Sequence, residues 1–354
     1  MPVNTSRTTY REHTDTENIL KLRQVLSTLP AFCKDYFRAI DSTTTTKTRI
    51  SYAYDIRIFF QFLLDENPAF KNYAMTDFSV EILDQIKAVD LEEYMEYLKV
   101  YQNGDKTETN GERGLKRKIS ALRSFYAYYY KREMIHTNPT VLIDVPKIHD
   151  KSIIRLDTDE VALLLDYIEH CGDSLTGQKR VYYEKTKERD LAIVTLLLGT
   201  GIRVSECVGL DIEDVDFKNN GIKVTRKGGN EMVVYFGEEV EQALKRYLEV
   251  RAGITSLAGH EHALFYSAQR KRMGVQAVEN MVKKYSRQIT TTKKITPHKL
   301  RSTYGTALYQ ETGDIYLVAD VLGHKDVNTT KKHYAALDDA RRRQAATAVR
   351  LRED

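Results

Sequence analysis

Apolar residues recur at three- and four-residue intervals through most of this chain, which is the spacing of one face of an α-helix. The clearest example is the segment 115–131, whose predicted buried stripe consists of Leu115, Ile119, Leu122, Phe125 and Tyr129. Strand-like runs are confined to 215–218, 222–226 and 231–236. The last two flank a Gly-Gly-Asn turn, which predicts a hairpin with Lys227 at its tip. We therefore predict a mainly α chain with one small antiparallel β-sheet.

With 354 residues, the chain is long enough for two domains that each have a core. We predict a loose tail over 1–17, a helical first domain over 18–147 and a linker over 148–152, where apolar anchors are few. Within the first domain, helices are expected near 19–29, 50–64, 89–100 and 115–131. The polar, glycine-punctuated stretch 103–114 predicts a mobile loop.

The second domain is expected over 153–334, mostly helical and carrying the small sheet, with a further helix over 335–354. Its helices are predicted at 158–170 with Thr158 as N-cap, and at 188–198, 204–208, 238–251, 275–285 and 315–322. The structure of the polar insertion 171–187 is left open. Gly323 stands in the position where helices commonly end, so the last of these helices is expected to stop at Leu322.

The bulk composition describes a globular protein whose formal net charge of +4 is a mild hint of a polyanionic partner. The three cysteines, Cys33, Cys171 and Cys207, are scattered in or beside apolar segments, which predicts buried thiols in a reducing compartment. No signal peptide and no membrane span is predicted, because the N-terminal stretch is polar and no apolar run approaches about 20 residues. We expect a cytoplasmic protein.

Two stretches of the first domain are candidates for binding DNA phosphates. The Ser/Thr run over 42–46 precedes a helix, so its hydroxyls either cap that helix or, with Thr44, Lys47 and Arg49, contact phosphates; both interpretations stay open. The helix 115–131 carries a cluster of cations, namely Lys116, Arg117, Lys118 and Arg123. That cluster favours insertion into a major groove, and a solvated helix face is the alternative. The tyrosines of this helix are expected in the core.

The C-terminal block 296–334 places four chemically active side chains in a short stretch. His298 and Arg301 are three residues apart on a predicted helix, so they share a face, and His324 and Tyr334 follow. Histidine, arginine and a phenol are the groups needed to transfer a phosphodiester onto tyrosine. Each residue alone is a weak signal, because a helical histidine is more often structural than catalytic.

Together with two earlier segments, this block resembles the tyrosine recombinase family of the phage integrase and Xer type. The matching segments are TGIRVSECVGL at 200–210, TRKGGNEMVVYF at 225–236, TPHKLRSTYGTAL at 296–308 and LGHKDVNTTKKHYAAL at 322–337. The family's order of arginine, lysine, His-x-x-Arg, Leu-Gly-His and tyrosine is reproduced. The resemblance covers the second domain, implying a catalytic domain there, and the helical first domain looks like the family's core-binding domain.

The resemblance implies a role for each matching residue. Tyr334 is the nucleophile that forms a 3′-phosphotyrosine, and Arg203 and Arg301 bind the non-bridging oxygens. His324 contacts the phosphoryl group, His298 assists proton movement at the tyrosine, and Lys227 protonates the leaving 5′-oxygen. Glu206 holds Arg203 in place. Neither a metal nor ATP is expected, since the sequence shows no carboxylate cluster, no His/Cys ligand spacing and no phosphate-binding glycine loop.

The chain departs from the family pattern at one point. Tyr334 lies ten positions after His324, whereas nine is the commonest family spacing and His333 stands at the ninth position. We assign the nucleophile to Tyr334, because histidine cannot form a phosphotyrosine link and the Tyr-Ala context fits the family.

The resemblance also implies the assembly and the partner. It implies double-stranded DNA as substrate and a tetramer in which the C-terminal helix docks onto a neighbouring protomer; packing of that helix on its own domain is the alternative. We expect an Xer-like recombinase, because no arm-binding domain is evident at the N-terminus. A mobile-element integrase or excisionase, a type IB topoisomerase and a non-catalytic relative are the competing interpretations.

Overall fold

The computed structural model describes residues 9–147, 149, 153–226, 229–324, 326–327 and 330. The chain divides into two compact units, Met1–Asp150 and Lys151–Asp354. The architecture within each unit is mainly helical, with a small antiparallel sheet in each, so the predicted fold class is confirmed.

The first unit is built from six helices and one two-stranded sheet in its described residues. In chain order the elements are α1 (Tyr10–Leu26), α2 (Cys33–Ala39), α3 (Thr46–Glu66), α4 (Ile82–Gln85), α5 (Ala88–Tyr97), β1 (Val100–Asn103), β2 (Lys106–Thr109) and α6 (Glu112–Tyr130). Short 3₁₀ turns lie at Pro68–Phe70, Met75–Asp77 and Pro139–Val141.

The core of the first unit is rich in aromatic rings contributed mainly by α2, α3 and α6. The predicted stripe of α6 is confirmed, because all five of its side chains are buried. The Phe125 and Tyr129 rings lie 5.0 Å apart in an edge-to-face arrangement, and Tyr36 packs edge-on against Phe125 at 5.2 Å. Tyr126 and Tyr129 are fully buried, as predicted for core tyrosines, whereas Tyr130 is half-exposed.

Three local features of the first unit were predicted incompletely. The loose tail does not extend to residue 17, because α1 begins at Tyr10, where Thr9 and Glu12 cap each other's backbone N–H groups. The predicted loop at 103–114 contains a hairpin instead, since β1 and β2 pair from Val100 with Thr109 to Asn103 with Lys106. The Ser/Thr run does cap α3: the Thr45 hydroxyl accepts a hydrogen bond from the Thr48 N–H at 3.2 Å.

The second unit carries seven helices and a three-stranded sheet in the part of it that the structure describes. Its elements are α7 (Thr158–His170), α8 (Gly177–Thr200), α9 (Val204–Gly209), β3 (Val215–Asp216), β4 (Gly221–Thr225), β5 (Glu231–Tyr235), α10 (Glu238–Ala252), α11 (Val275–Ile289), α12 (Pro297–Thr312) and α13 (Ile315–Leu322). Short 3₁₀ turns occupy Cys171–Ser174 and Ile212–Asp214.

Helix α8 forms the centre of the second unit. Its C-terminal half, over 191–197, is buried on all sides because α7, α10 and α12 pack around it. The first half of this helix comes from the insertion whose structure was left open. The N-cap of α7 is Asp157 and not Thr158, and the Glu160 carboxylate accepts from the Asp157 N–H at 2.8 Å.

The small sheet has the order β3-β4-β5 and is antiparallel throughout. Ile222 lies opposite Val234 and Val224 opposite Met232, so alternate residues point to the same face. Ile222, Val224 and Val234 are buried on that face. The predicted hairpin is confirmed, although Lys227 and Gly228 at its tip lie outside the described residues.

The three cysteines are buried and unpaired, which confirms the predicted buried thiols. Burial raises the pKa of Cys207 to about 12, so this thiol stays protonated. Within the described ranges, no helix is both long enough and apolar enough to cross a membrane.

Candidate active site

The second unit contains all the residues predicted for catalysis. Those in the described part of the chain are Arg203, Glu206, His298, Arg301 and His324. Lys227 and Tyr334 lie outside the described residues, as does the predicted C-terminal helix over 335–354.

Arg203 is held by the carboxylate of Glu206 at the start of α9. It is the N-cap of that helix, and its backbone N–H donates to Glu206 Oε2 at 2.8 Å. Its guanidinium Nη1 donates to Oε1 of the same carboxylate at 2.8 Å, so the predicted contact between the two residues is present. Because Glu206 is buried and the Arg203 side chain is 34% exposed, the carboxylate anchors an arginine that still reaches solvent.

Arg301 reaches the same region from α12. Its side chain is buried, and Nη1 donates to the carbonyl of Gly201 at 2.6 Å while Nη2 donates to the carbonyl of Leu322. His298, one turn earlier on α12, is exposed. The shared helix face predicted for these two residues therefore places one side chain inside the unit and the other at its surface.

The turn after α13 carries His324. Helix α13 has the predicted bounds, beginning with the Asp314 carboxylate as cap and ending at Gly323 with φ +60°. The His324 N–H donates back to the carbonyl of Ala319 at 2.9 Å, which closes the turn. The His324 Nδ1 lies 2.7 Å from the hydroxyl of Thr330, a fully buried residue that the sequence analysis did not single out.

Two glycines allow these elements to approach one another. Gly201 ends α8 with φ +61°, and a Cβ there would lie 2.3 Å from the Tyr304 ring. A Cβ on Gly323 would lie 3.0 Å from the Arg226 guanidinium. Both positions combine a left-handed backbone with close packing, which only glycine accommodates without strain.

Arg226 is a second residue of this region, besides Thr330, that the sequence analysis missed. It is buried, and its guanidinium donates to the carbonyls of Val321 at 2.7 Å and Leu322 at 3.1 Å. It also pairs with Glu206 at 3.4 Å. The pKa of Arg226 is lowered by burial, while Glu206 opposes that shift and Arg203 adds to it. Its only signal in the sequence was its position beside Lys227, the residue to which the resemblance assigned the catalytic role.

The arrangement gathers three guanidinium groups around one carboxylate and the last carbonyls of α13. A helix C-terminus carries partial negative charge, so it stabilises cations placed there. Carbonyl oxygens are neutral acceptors, and a phosphate oxygen is a stronger partner for the same planar donors. The site is therefore equipped to bind an anionic, oxygen-rich group at its exposed edge, beside Arg203. Among the described residues, no group of His, Cys, Asp and Glu side chains is arranged to hold a metal ion.

The first unit divides the predicted DNA-contact residues into two kinds. Lys47 and Arg117 reach solvent, whereas Lys118 is 5% exposed and pairs with the buried Asp55 at 3.3 Å. Arg123 donates to the carbonyls of Thr140 at 3.0 Å and Ile143 at 2.8 Å.

Arg49 and the Thr44 hydroxyl also have partners within the first unit. Arg49 is buried against Asp41, and the Thr44 hydroxyl donates to the carbonyl of Ile40 at 2.7 Å. The prediction of phosphate contacts is corrected for Lys118 and Arg49, because these cations are buried and bound within the unit. For Arg123 and Arg117, which are bound within the unit but partly exposed, it stays a prediction.

Comparison of the chain with known proteins identifies its family. The model of the phage integrase family matches residues 155–341. The chain is 32% identical over 328 residues to tyrosine recombinase XerC of Caldanaerobacter subterraneus subsp. tengcongensis, covering 90% of this chain and 86% of the relative. It is 30% identical over 340 residues to tyrosine recombinase XerS of Lactococcus lactis subsp. cremoris, covering 89% and 93%.

Solved structures share the fold at lower sequence identity. XerH recombinase bound to a palindromic difH substrate, in a post-cleavage complex, superposes with a TM-score of 0.65 at 20% identity, covering 97% of this chain and 90% of that one. The Tn1549 transposon integrase in complex with circular intermediate DNA gives a TM-score of 0.62 at 21% identity, covering 88% and 98%.

The family match extends over more than half of the chain, and the identity to XerC extends over nearly all of it. The region that matches the family model contains the described residues of the candidate site, including Arg203, Glu206, Arg226, Arg301 and His324. The chain belongs to the phage integrase family of tyrosine recombinases, and it is an Xer-like enzyme of site-specific recombination that cleaves and rejoins DNA strands.

Proposed function

We propose that Tyr334 attacks a phosphodiester of a double-stranded DNA site, with Arg203 and Arg301 binding its non-bridging oxygens. The observation that carries this proposal is the convergence of the two arginines. They come from different helices, yet their guanidinium groups donate to the neighbouring carbonyls of Gly323 and Leu322. A phosphoryl group at the edge of this turn would meet donors from both.

The chemistry requires such donors. Negative charge on the equatorial oxygens must be stabilised as tyrosine attacks, and planar guanidinium groups can bind two oxygens at once. Donors that are already oriented contribute on the order of 10²–10³ in rate each. Arg203 and Arg301 meet that condition, since Glu206 fixes one and buried carbonyls fix the other.

The remaining roles concern protons. A free phenol has a pKa of about 10, so Tyr334 needs neighbouring cations and a base, and His298 is the proposed assistant. His324 is the proposed further donor to the phosphoryl group. The leaving 5′-oxygen is a poor leaving group unless it is protonated, and Lys227 is the proposed acid.

The proposed intermediate explains how strands are exchanged without ATP. Attack by the Tyr334 oxygen breaks the P–O5′ bond and forms a 3′-phosphotyrosine, while the 5′-oxygen takes a proton. A 5′-hydroxyl from another strand reverses the step, so the phosphoester bond is carried through the reaction. The partner is then a pair of DNA sites, bound by an assembly for which we propose a tetramer.

The proposal of DNA as partner is supported by the relatives and by exposed cations. The XerH and Tn1549 integrase structures are complexes with DNA. In the first unit, Lys47 is exposed and remains a candidate for phosphate contacts. Arg117 is a weaker candidate, because its side chain is 48% exposed but both of its terminal nitrogens donate to Asp55. The proposed contact of Thr44 with a phosphate would require its hydroxyl or its backbone N–H to leave the carbonyl of Ile40, to which both donate.

The test uses DNA duplexes recovered by crosslinking the protein to the DNA of its own host. Tyr334→Phe is expected to bind these duplexes like the parent protein and to form no covalent adduct, because only the phenol oxygen has been removed. His333→Ala is the matched control at the neighbouring position and is expected to form the adduct. A covalent adduct with Tyr334→Phe, measured as a denaturation-resistant protein–DNA band, would refute the assignment.

Pairing two such sites separates recombination from its competitor. Recombinant products are expected from the parent protein. Relaxation of supercoiled DNA with no recombinants would assign the chain to the topoisomerase class instead.

A further inference from the structure

Arg226 connects Arg203 and Arg301, the two arginines that are proposed to bind the phosphate and are called the phosphate clamp below. It follows β4 directly, and its Nη1 lies 3.4 Å from Glu206 Oε2 in the carboxylate that also binds Arg203. The same Nη1 donates to the carbonyl of Leu322, which also accepts from Arg301. Arg203 and Arg301 therefore each share an acceptor group with Arg226.

The side chain of Arg226 is fixed from several directions. Its Nη2 donates to the carbonyl of Val321 at 2.7 Å, and its Nε lies 3.0 Å from Met232 Sδ on β5. Gly323 lies close to the guanidinium as well, because a Cβ at that position would be 3.0 Å from its Cζ and Nε. The backbone is held as well, because the Arg226 N–H donates to the carbonyl of Asn230 at 2.7 Å. Few alternative positions are open to a group bound in this way.

A buried arginine with such partners is expected to add little to the free energy of unfolding. Removing two charges from water costs about as much as their attraction returns, so an apolar residue of similar volume often stabilises a fold equally well. The arrangement is better suited to fixing the geometry of neighbouring groups. At a site for phosphoryl transfer, a displacement of about 1 Å can lower the rate about 10²-fold.

We propose that Arg226 is a positioning residue of this enzyme, which sets the spacing between Arg203 and Arg301 through Glu206 and the carbonyl of Leu322. This inference rests on the proposed function, in which those two arginines bind the scissile phosphate. Arg226 acts through them, since it is 9% exposed and its donors are directed at the carboxylate and the α13 carbonyls.

The experiment compares two scissile groups in recovered duplexes: an ordinary phosphodiester and a methylphosphonate, in which a methyl group replaces one charged oxygen. Arg226→Met is expected to lower single-turnover cleavage of the phosphodiester about 10²-fold. On the methylphosphonate its loss relative to the parent is expected to stay below about tenfold, because less charge needs stabilising. Arg246→Met is the matched control, since Arg246 lies on the surface of α10 and pairs there with Glu169 of α7.

A double substitution tests the same inference without the altered DNA. If Arg226 acts through Arg203, the pair Arg226→Met and Arg203→Ala loses little more phosphodiester cleavage than Arg203→Ala alone. Multiplied losses, or equal losses by Arg226→Met on both scissile groups, would overturn the proposal. If Arg226→Met fails to fold, Arg226→Lys, which keeps a cation at the position, is assayed in its place, and the same outcomes support or overturn the proposal.

Failure of the inference can be told apart from failure of the proposed function. Arg203→Ala and Arg301→Ala are assayed on both scissile groups. If neither loses more on the phosphodiester than on the methylphosphonate, the clamp itself is wrong. If both do so and Arg226→Met does not, the clamp stands and only the positioning role is lost.

Discussion

Each unit of the molecule contains a buried carboxylate that holds two cations, and the two clusters use those cations differently. In the first unit, Asp55 receives Lys118 at 3.3 Å and both terminal nitrogens of Arg117. In the second unit, Glu206 receives Arg203 and Arg226. The guanidinium groups bound to Glu206 also donate to the carbonyls at the end of α13, whereas Arg117 and Lys118 converge on the Asp55 carboxylate.

The difference separates a cluster that holds a fold from one that prepares a site. Asp55 lies on α3 and its partners on α6, so the pairs join two helices across the core of the first unit. Burial raises the pKa of Asp55, and the attraction of Arg117 and Lys118 opposes that shift. The arginines on Glu206 also donate to the carbonyls of Val321, Leu322 and Gly323, beside the point where Arg301 donates to Leu322. A similar ion-pair motif can therefore serve packing or chemistry, depending on which other groups its cations contact besides the carboxylate.

The largest expected effect is on the stability of the first unit. Asp55→Ala leaves Lys118 buried without its carboxylate, which is expected to lower the local free energy of unfolding by about 3 kcal/mol. Hydrogen exchange at the amides of α3 and α6 measures the change.

Asp35→Ala is the matched control for that change, since Asp35 forms an exposed pair with Arg38, and about 0–1 kcal/mol is expected there. If Asp55→Ala instead slowed DNA cleavage and left protection of α3 and α6 intact, the contrast between the two clusters would fail.

The second expected effect is on catalysis. Glu206→Gln keeps the shape of the side chain and removes its charge, so Arg203 and Arg226 lose their shared counter-ion. We expect a fall of about 10²-fold in single-turnover cleavage because the proposed clamp is displaced. Protection of α3 and α6 from hydrogen exchange should stay at the parent level. Unchanged cleavage by this variant would place Glu206 with Asp55, as a residue of the fold alone.

The smallest expected effect comes from a more exposed cluster. Lys293 donates to Asp157 at 2.9 Å and Glu160 at 2.5 Å, and it lowers the pKa of Asp157 while its own pKa is raised. A lowered carboxylate pKa stabilises the fold above the unfolded value of about 4, and that stabilisation is lost as the pH falls further.

Lys293→Met is therefore expected to cost less than about 1 kcal/mol at neutral pH, and the difference from the parent should shrink below about pH 4. Denaturant unfolding at several pH values measures it. A constant difference down to pH 2 would assign the effect to packing of the lysine stem.

Local signals in the sequence predicted much of the fold. The bounds of α13 followed from an apolar run that stops at Gly323, because a left-handed glycine directly after the last helical residue ends a helix; the Asp314 cap at its start emerged only in the structure. The β4–β5 hairpin followed from its Gly-Gly-Asn turn in the same way. The start of α1 at Tyr10 was missed, since its first turns carry polar residues and its only signal was the pair Thr9 and Glu12.

The side-chain partners could not be predicted, because they are distant in the sequence. Lys118 and Arg123 appeared to belong to one cationic helix face until Asp55 and the carbonyls of Thr140 and Ile143 were brought beside them. Arg226 was missed for the same reason, since the partners that join it to the site, Glu206, Val321 and Leu322, lie 20 and 95–96 residues away. Which cations remain available to a ligand is a property of the folded chain.

The close approach of Gly323 to the Arg226 guanidinium has an evolutionary consequence. With arginine at position 226, a Cβ at position 323 would lie 3.0 Å from the guanidinium on a left-handed backbone, so glycine is the residue expected to persist at 323. A small residue at 226 would open that space, and asparagine, which tolerates a left-handed backbone, could then replace the glycine. The two positions are expected to change together among relatives, and that covariation would record their contact without a structure.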